Sequence, residues 1–238
     1  MVQASQRTMV RGPTFIRLLA RLTDVDVPPS RQSLSDRLSH WLDWTHAITL
    51  STALDGKPSS LATGAVAPGN AEESECARVR ASLSAAMTAG GESPPATRYE
   101  AEPAEQDYEV FRKRYLALQR AMQTATGHLR GRLRDILAQS SVDMLRLADV
   151  DAAMELALSP REQALLASVP ALLGEHFERL RQAEHQALAD AQVADGIPTP
   201  TPGAWLEVFR KDMQSVLLAE LDVRFQPVEG LLAALRTS

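Results

Sequence analysis

A single cysteine, Cys76, stands in the whole chain, so no intramolecular disulfide can form and no cysteine-based metal cluster can be assembled. One thiol fits a reducing compartment. Aromatic residues are scarce, 5% of the 238 residues, and the apolar content comes from Ala and Leu far more than from Val and Ile. That bias excludes a strand-rich fold, because β-branched and aromatic side chains are what pleated sheets use. No apolar stretch approaches the roughly 18 residues of a membrane span. The most apolar early region, residues 15 to 22, is interrupted by Arg17 and Arg21, which breaks the pattern of a secretory signal. A cytoplasmic location without direct membrane insertion is expected.

Lysine and asparagine are nearly missing. Lys57, Lys113 and Lys211 are the only lysines among 25 basic residues, and Asn70 is the only asparagine. Such a skew follows GC-rich coding, so arginine abundance by itself says little about phosphate binding. The Gly-x-Gly-x-x-Gly and Gly-x-x-x-x-Gly-Lys phosphate loops are absent, as is the Gly-x-Ser-x-Gly nucleophile elbow. No helix-turn-helix or zinc-finger signature occurs. Neither an enzymatic activity nor a cofactor, metal or small-molecule substrate is indicated.

What is present is helical periodicity. Phe15, Leu18, Leu19 and Leu22 recur at i, i+3, i+4, i+7 and predict a short amphipathic helix. After Pro28 and Pro29, Ser30 or Ser33 can cap a second helix with the stripe Leu34, Leu38, Trp41, Leu42, Thr45 and Ile48, ending near Gly56. Residues 57 to 69 read as a loop. Asn70 and Glu73 begin a helix carrying Cys76, Val79, Leu83 and Met87, stopped by Gly90 and Gly91. Residues 91 to 103 read as a flexible linker.

The clearest signal runs from 104 to 139, where Tyr108, Phe111, Tyr115, Leu118, Met122, Ala125, Leu129, Leu133 and Ile136 fall within about 40° of one line at 100° per residue. A less tidy helical stretch, 142 to 157, follows. Ser159, Pro160 and Glu162 then match the cap, first-turn proline and capping-box acid of a new helix start. That helix extends to about 192, with Pro170 expected to kink or restart it. A proline-rich connector at 195 to 203 leads to a last long helix to about 225, and after Pro227 a short tail carries Leu231, Leu232 and Leu235. The expected fold is all-α: an elongated antiparallel helical bundle with coiled-coil-like long helices over 104–238, preceded by an N-terminal helical subdomain over 1–90.

Chemistry-bearing residues are few. His40, Asp43 and His46 lie three apart but off the apolar stripe, where a solvated polar face is expected. His176 and His185, nine apart, do not share a helix face, and His128 is solitary. Cys76 sits early in its helix, where the dipole lowers a thiol pKa, but Glu72, Glu73 and Glu75 push the other way, so an inert thiol is expected. Trp41 and Trp44 are candidates for partner docking beside their ordinary role in packing, and so are Leu231, Leu232 and Leu235.

Between 110 and 134 there are seven cations and no acids. Of these, Arg112, Lys113, Arg120, Arg130 and Arg134 project opposite the apolar stripe. They are candidates to bind a polyanion, and their competing fate is neutralisation by the acidic segments on either side.

The stretch Gly12-Pro13-Thr14-Phe15-Ile16-Arg17-Leu18-Leu19-Ala20-Arg21-Leu22-Thr23-Asp24, with Gln32-Ser33-Leu34-Ser35-Asp36-Arg37-Leu38 and Trp41-Leu42-Asp43-Trp44-Thr45, resembles an uncharacterised family of proteobacterial proteins, and the likeness extends more loosely over most of the chain. That resemblance implies no activity and no site residues. Its members are often encoded beside proton-channel membrane proteins of the flagellar-stator and Tol/Exb type, which implies a cytoplasmic accessory of an envelope complex. The expected function is therefore a non-enzymatic helical interaction or scaffold protein with a protein partner, itself or a membrane-associated complex. Nucleic-acid or polyanion binding by the 110 to 134 helix is the alternative.

Overall fold

The computed structural model describes residues 14–23, 33–55, 70–89, 107–193, 201 and 203–237. The expected loop at 57–69, the linker at 91–103 and all of the connector at 195–203 except Thr201 and Gly203 lie outside them. Among the described residues the fold is all-α, without a strand. In order these are α1 (Thr14–Thr23), α2 (Leu34–Trp41), α3 (Trp44–Asp55), α4 (Asn70–Thr88), α5 (Tyr108–Ser140), α6 (Val142–Leu166), α7 (Val169–Val193) and α8 (Ala204–Thr237).

Three boundaries differ from the periodicity reading. The predicted second helix is two. Ser33 caps α2 through a full capping box with Asp36, and Leu42 then turns extended. Asp43 starts α3 by accepting the His46 backbone N–H on its carboxylate, 2.9 Å, and the Ala47 N–H on its carbonyl, 3.0 Å. The expected start of a helix at 142 holds: Ser141, extended at φ −158°, caps α6 by accepting from Met144 and separates it from α5.

No helix starts at Ser159. Pro160 lies inside α6, and the break comes at Ala167 and Ser168, with Pro170 in the first turn of α7, where a missing N–H costs little. Pro227 also lies inside α8, which continues to Thr237. In both places burial continues beyond the proline, at Leu166 and at Val228, Leu231, Leu232 and Leu235, and tertiary packing holds the helix against its local penalty.

The described parts of Met1–Ser30, Met87–Leu116 and Val169–Glu220 form one compact unit, and those of Arg31–Ala86, Ala117–Ser168 and Leu221–Ser238 form another. The first is built around rings. Phe111, Phe177 and Phe209 meet with centroids 5.0 to 5.9 Å apart, and Trp205 sets its edge on Phe177 at 4.8 Å. Tyr108 joins them and donates its hydroxyl to the Pro170 carbonyl. It can do so because residue 174 is glycine: a Cβ there would stand 2.8 Å from the tyrosine ring. Burial pushes the Tyr108 hydroxyl up to about 12. Fully buried Tyr115 donates to fully buried Glu220, 2.5 Å. Helix α1 lies on α7, where Arg179 donates to the Leu22 carbonyl at its C-terminus.

In the second unit, Ala148 and Leu166 lie on one side of α6, while Ala153 and Ala157 lie about 140° to 180° around it. A helix packed on two sides shows little amphipathic contrast, which accounts for its untidy periodicity. Helix α3 packs along α6. Helix α4 buries Cys76 and Leu83 and is tied by ion pairs, Glu73 with Arg236, Glu75 with Arg132, and Arg80 with both Asp222 and Glu229.

Candidate functional site

The five cations expected to form a polyanion face meet different fates. Arg112 pairs with Glu109 one turn back on its own helix, 3.0 Å. Lys113 and Arg120 are exposed and meet no ionic partner among the described residues.

Arg130 and Arg134 turn to α6. Arg130 grips Asp151 with two parallel bonds, Nε to Oδ2 and Nη2 to Oδ1, both 2.7 Å, and Arg134 bonds Asp151 at 3.2 Å and also Glu155. Burial opposes the Arg130 charge. Hydrogen bonding to Asp151 and the fields of Asp151 and Glu155 outweigh that, so its pKa is raised. The bidentate fork is the geometry in which arginine holds a carboxylate most strongly. Two further cations of the stretch are also engaged, Arg132 with Glu75 and Arg114 with the Met87 carbonyl. The acids that neutralise the C-terminal half of α5 are therefore on α4 and α6.

The tryptophan pair is divided by the break at Leu42. Trp41, half-buried, lies beneath the Arg161 guanidinium, 5.2 Å from ring to cation. Trp44 opens α3 and is 80% exposed, with Ile48 at 50% and Leu54 at 58% on the same helix. No residue of α3 is buried. Leu231, Leu232 and Leu235, by contrast, are only 3%, 9% and 3% exposed. The chain itself covers them, because α8 runs on through Pro227 and carries their side chains into the core.

The remaining polar residues are placed plainly. The Asp43 carboxylate serves as the α3 cap, with the His46 ring 2.9 Å away. His40 meets the Asp36 carbonyl. His176 pairs with Asp212 at 2.9 Å, with Arg21 3.8 Å from the same carboxylate, a junction that spacing alone could not show. Cys76 is buried, and burial followed by the charge of Glu75 raises its thiol pKa, away from nucleophilic use. Among the described residues no three His, Cys, Asp or Glu side chains converge as a metal-ligand set.

Periodicity also missed a polar pocket of about 400 Å³ within the second unit, where α5, α6 and α8 meet. Arg130, Glu155, Glu162 and Arg224 line it, together with Pro160 and Pro227. Spacing gave no signal for it, because Pro160 reads locally as a helix start and Pro227 as a helix end, and only the structure sets both inside helices. The model of one protein family, described as a protein of unknown function (DUF3348), matches residues 1–237. No curated protein and no solved structure matches the chain.

Proposed function

We propose, for a chain that belongs to the DUF3348 family of unknown function, that it works by binding another protein, as a helical interaction or scaffold protein without catalytic activity of its own. The observation that carries this reading is α3. It presents Trp44, Ile48 and Leu54 outward, yet buries none of its twelve residues. An exposed tryptophan flanked by aliphatic side chains is the usual anchor of a protein interface. Helices docking on apolar helix faces are a recurrent recognition mode.

The cytoplasmic site of action and the envelope-complex partner implied by the family likeness belong to this same proposal. Among the described residues no helix is long and apolar enough to cross a membrane. The polyanion alternative is less favoured, because Arg130, Arg132 and Arg134 are engaged by carboxylates of the chain itself.

The test compares the full chain with the variant carrying Trp44→Glu and Ile48→Glu. Sedimentation velocity reads self-association, and capture from the native cell reads partners. The variant is expected to keep the wild-type helical circular dichroism, since both side chains are outside the core, and to lose the complex. Full retention of every complex by the variant, or recovery of the wild-type chain alone as a monomer, would overturn the proposal.

A further inference from the structure

The pocket in the second unit has an unusual wall. In an α-helix the carbonyl of residue i accepts from the N–H of residue i+4 on the same face, and proline has no N–H to give. Pro160 and Pro227 therefore deprive Leu156 and Val223 of their helical donors. Leu156 and Pro160 both line the pocket, and so do Val223 and Pro227, so each deprived oxygen lies between two wall residues. Two helices thus bring a deprived carbonyl to one cavity.

Opposite them, α5 presents Gly127, where an added Cβ would meet nothing within 4 Å. No neighbour demands that bare backbone, and it leaves the cavity open. Among the carboxylates, Glu155 has both oxygens paired, Oε1 with Arg130 at 3.6 Å and Oε2 with Arg134, whereas Glu162 uses Oε1 toward Arg224 at 3.3 Å and adds its other oxygen as an acceptor. The cations are already directed at the chain's own acids, Arg130 in its two-bond grip on Asp151 and Arg224 on Glu162. An anion entering here would face carbonyl and carboxylate lone pairs. A group with several N–H donors would find them complementary.

We propose that this pocket binds the primary ammonium group of a small aliphatic molecule. Its three N–H donors match the carbonyls of Leu156 and Val223 and the carboxylate of Glu162, and its carbon chain lies against Pro160, Pro227 and the open face at Gly127. The same chemistry is carried by simple amines and by α-amino acids. The two sources differ in whether a carboxylate accompanies the ammonium.

The experiment titrates the full chain with butylamine, putrescine, leucine and, as a donor-poor control of equal length, butanol, followed by calorimetry and by amide chemical shifts. Saturable binding of the amine-bearing probes with shifts confined to the pocket, and none with butanol, is expected. Leucine binding more tightly than butylamine assigns the amino-acid source, and the reverse order assigns the free amine.

The chain carrying Pro160→Ala and Pro227→Ala restores both N–H groups and so returns the carbonyls to their helices. It should melt at a higher temperature, because proline is the poorest helix-interior residue, while binding roughly tenfold or more weakly, as expected for lost hydrogen bonds to a charged group. Glu162→Gln should weaken binding with the fold intact. Absence of saturable binding by every amine-bearing probe, or wild-type affinity in the double proline variant, overturns the proposal.

Discussion

Single side chains in this protein are placed by neighbours that sequence distance conceals. Tyr108 reaches the Pro170 carbonyl only because Gly174 leaves space for its ring. Gly174→Ala should therefore cost about 1 to 3 kcal/mol through overpacking, read as a lowered urea midpoint with unchanged slope. Tyr108 also sets an alkaline limit. Its folded pKa is raised above the usual tyrosine range, to about 12, so the folded state holds a proton that the unfolded state has released. Its contribution is complete below about pH 10, the unfolded value, and is lost as pH rises through about 12. Wild-type stability should fall across that window and Tyr108→Phe should flatten the fall. A variant whose melting temperature drops as steeply as wild type would show that Tyr108 is not responsible.

Elements show where local grammar holds and where it yields. Asp43 was read as one member of a polar face on a continuous helix, but its carboxylate closes the first turn of α3. Asp43→Ala is expected to remove about 1 kcal/mol and to raise amide exchange at the start of α3, leaving α2 unaffected. The stripe on α5 was legible residue by residue at Phe111, Tyr115, Met122, Leu129 and Leu133. Thr126 and Leu137, however, are buried where Ala125 and Ile136 were expected to be most enclosed. Adjacent positions differ by 100°, and which of two flanking residues is covered depends on where neighbouring helices lie.

The cationic back of α5 gives a quantitative expectation for the same element. With Lys113 and Arg120 as the cations of the stretch that meet no ionic partner among the described residues, any duplex DNA binding by this helix should lose affinity with a log–log salt slope no steeper than about −2. A slope near −6, as all seven cations would give, would show that the ion pairs to Asp151, Glu155 and Glu75 open on binding.

At the scale of the molecule, α5 and α8 each contribute to both compact units, so the ends of these helices matter as much as their middles. The last turns of α8 bury Leu231, Leu232 and Leu235 beyond Pro227. Leu231→Ala should cost about 2 to 5 kcal/mol, the range for a large-to-small change in a core. That loss would appear as a lower thermal midpoint, whereas an unchanged midpoint would mean that the α8 end is not part of the cooperative structure.

The sequence by itself determined the helical class and the apolar stripe of α5, and it narrowed the α2 cap to Ser30 or Ser33, of which the structure uses Ser33. These depend on backbone geometry and on side chains three or four residues apart. Only the tertiary structure decided that Pro160 and Pro227 sit within helices, that Arg130 and Arg134 close on Asp151 and Glu155, and that four ionisable groups and two prolines share a cavity. Each outcome turns on desolvation and on contacts between residues distant in sequence, for which periodicity carries no record.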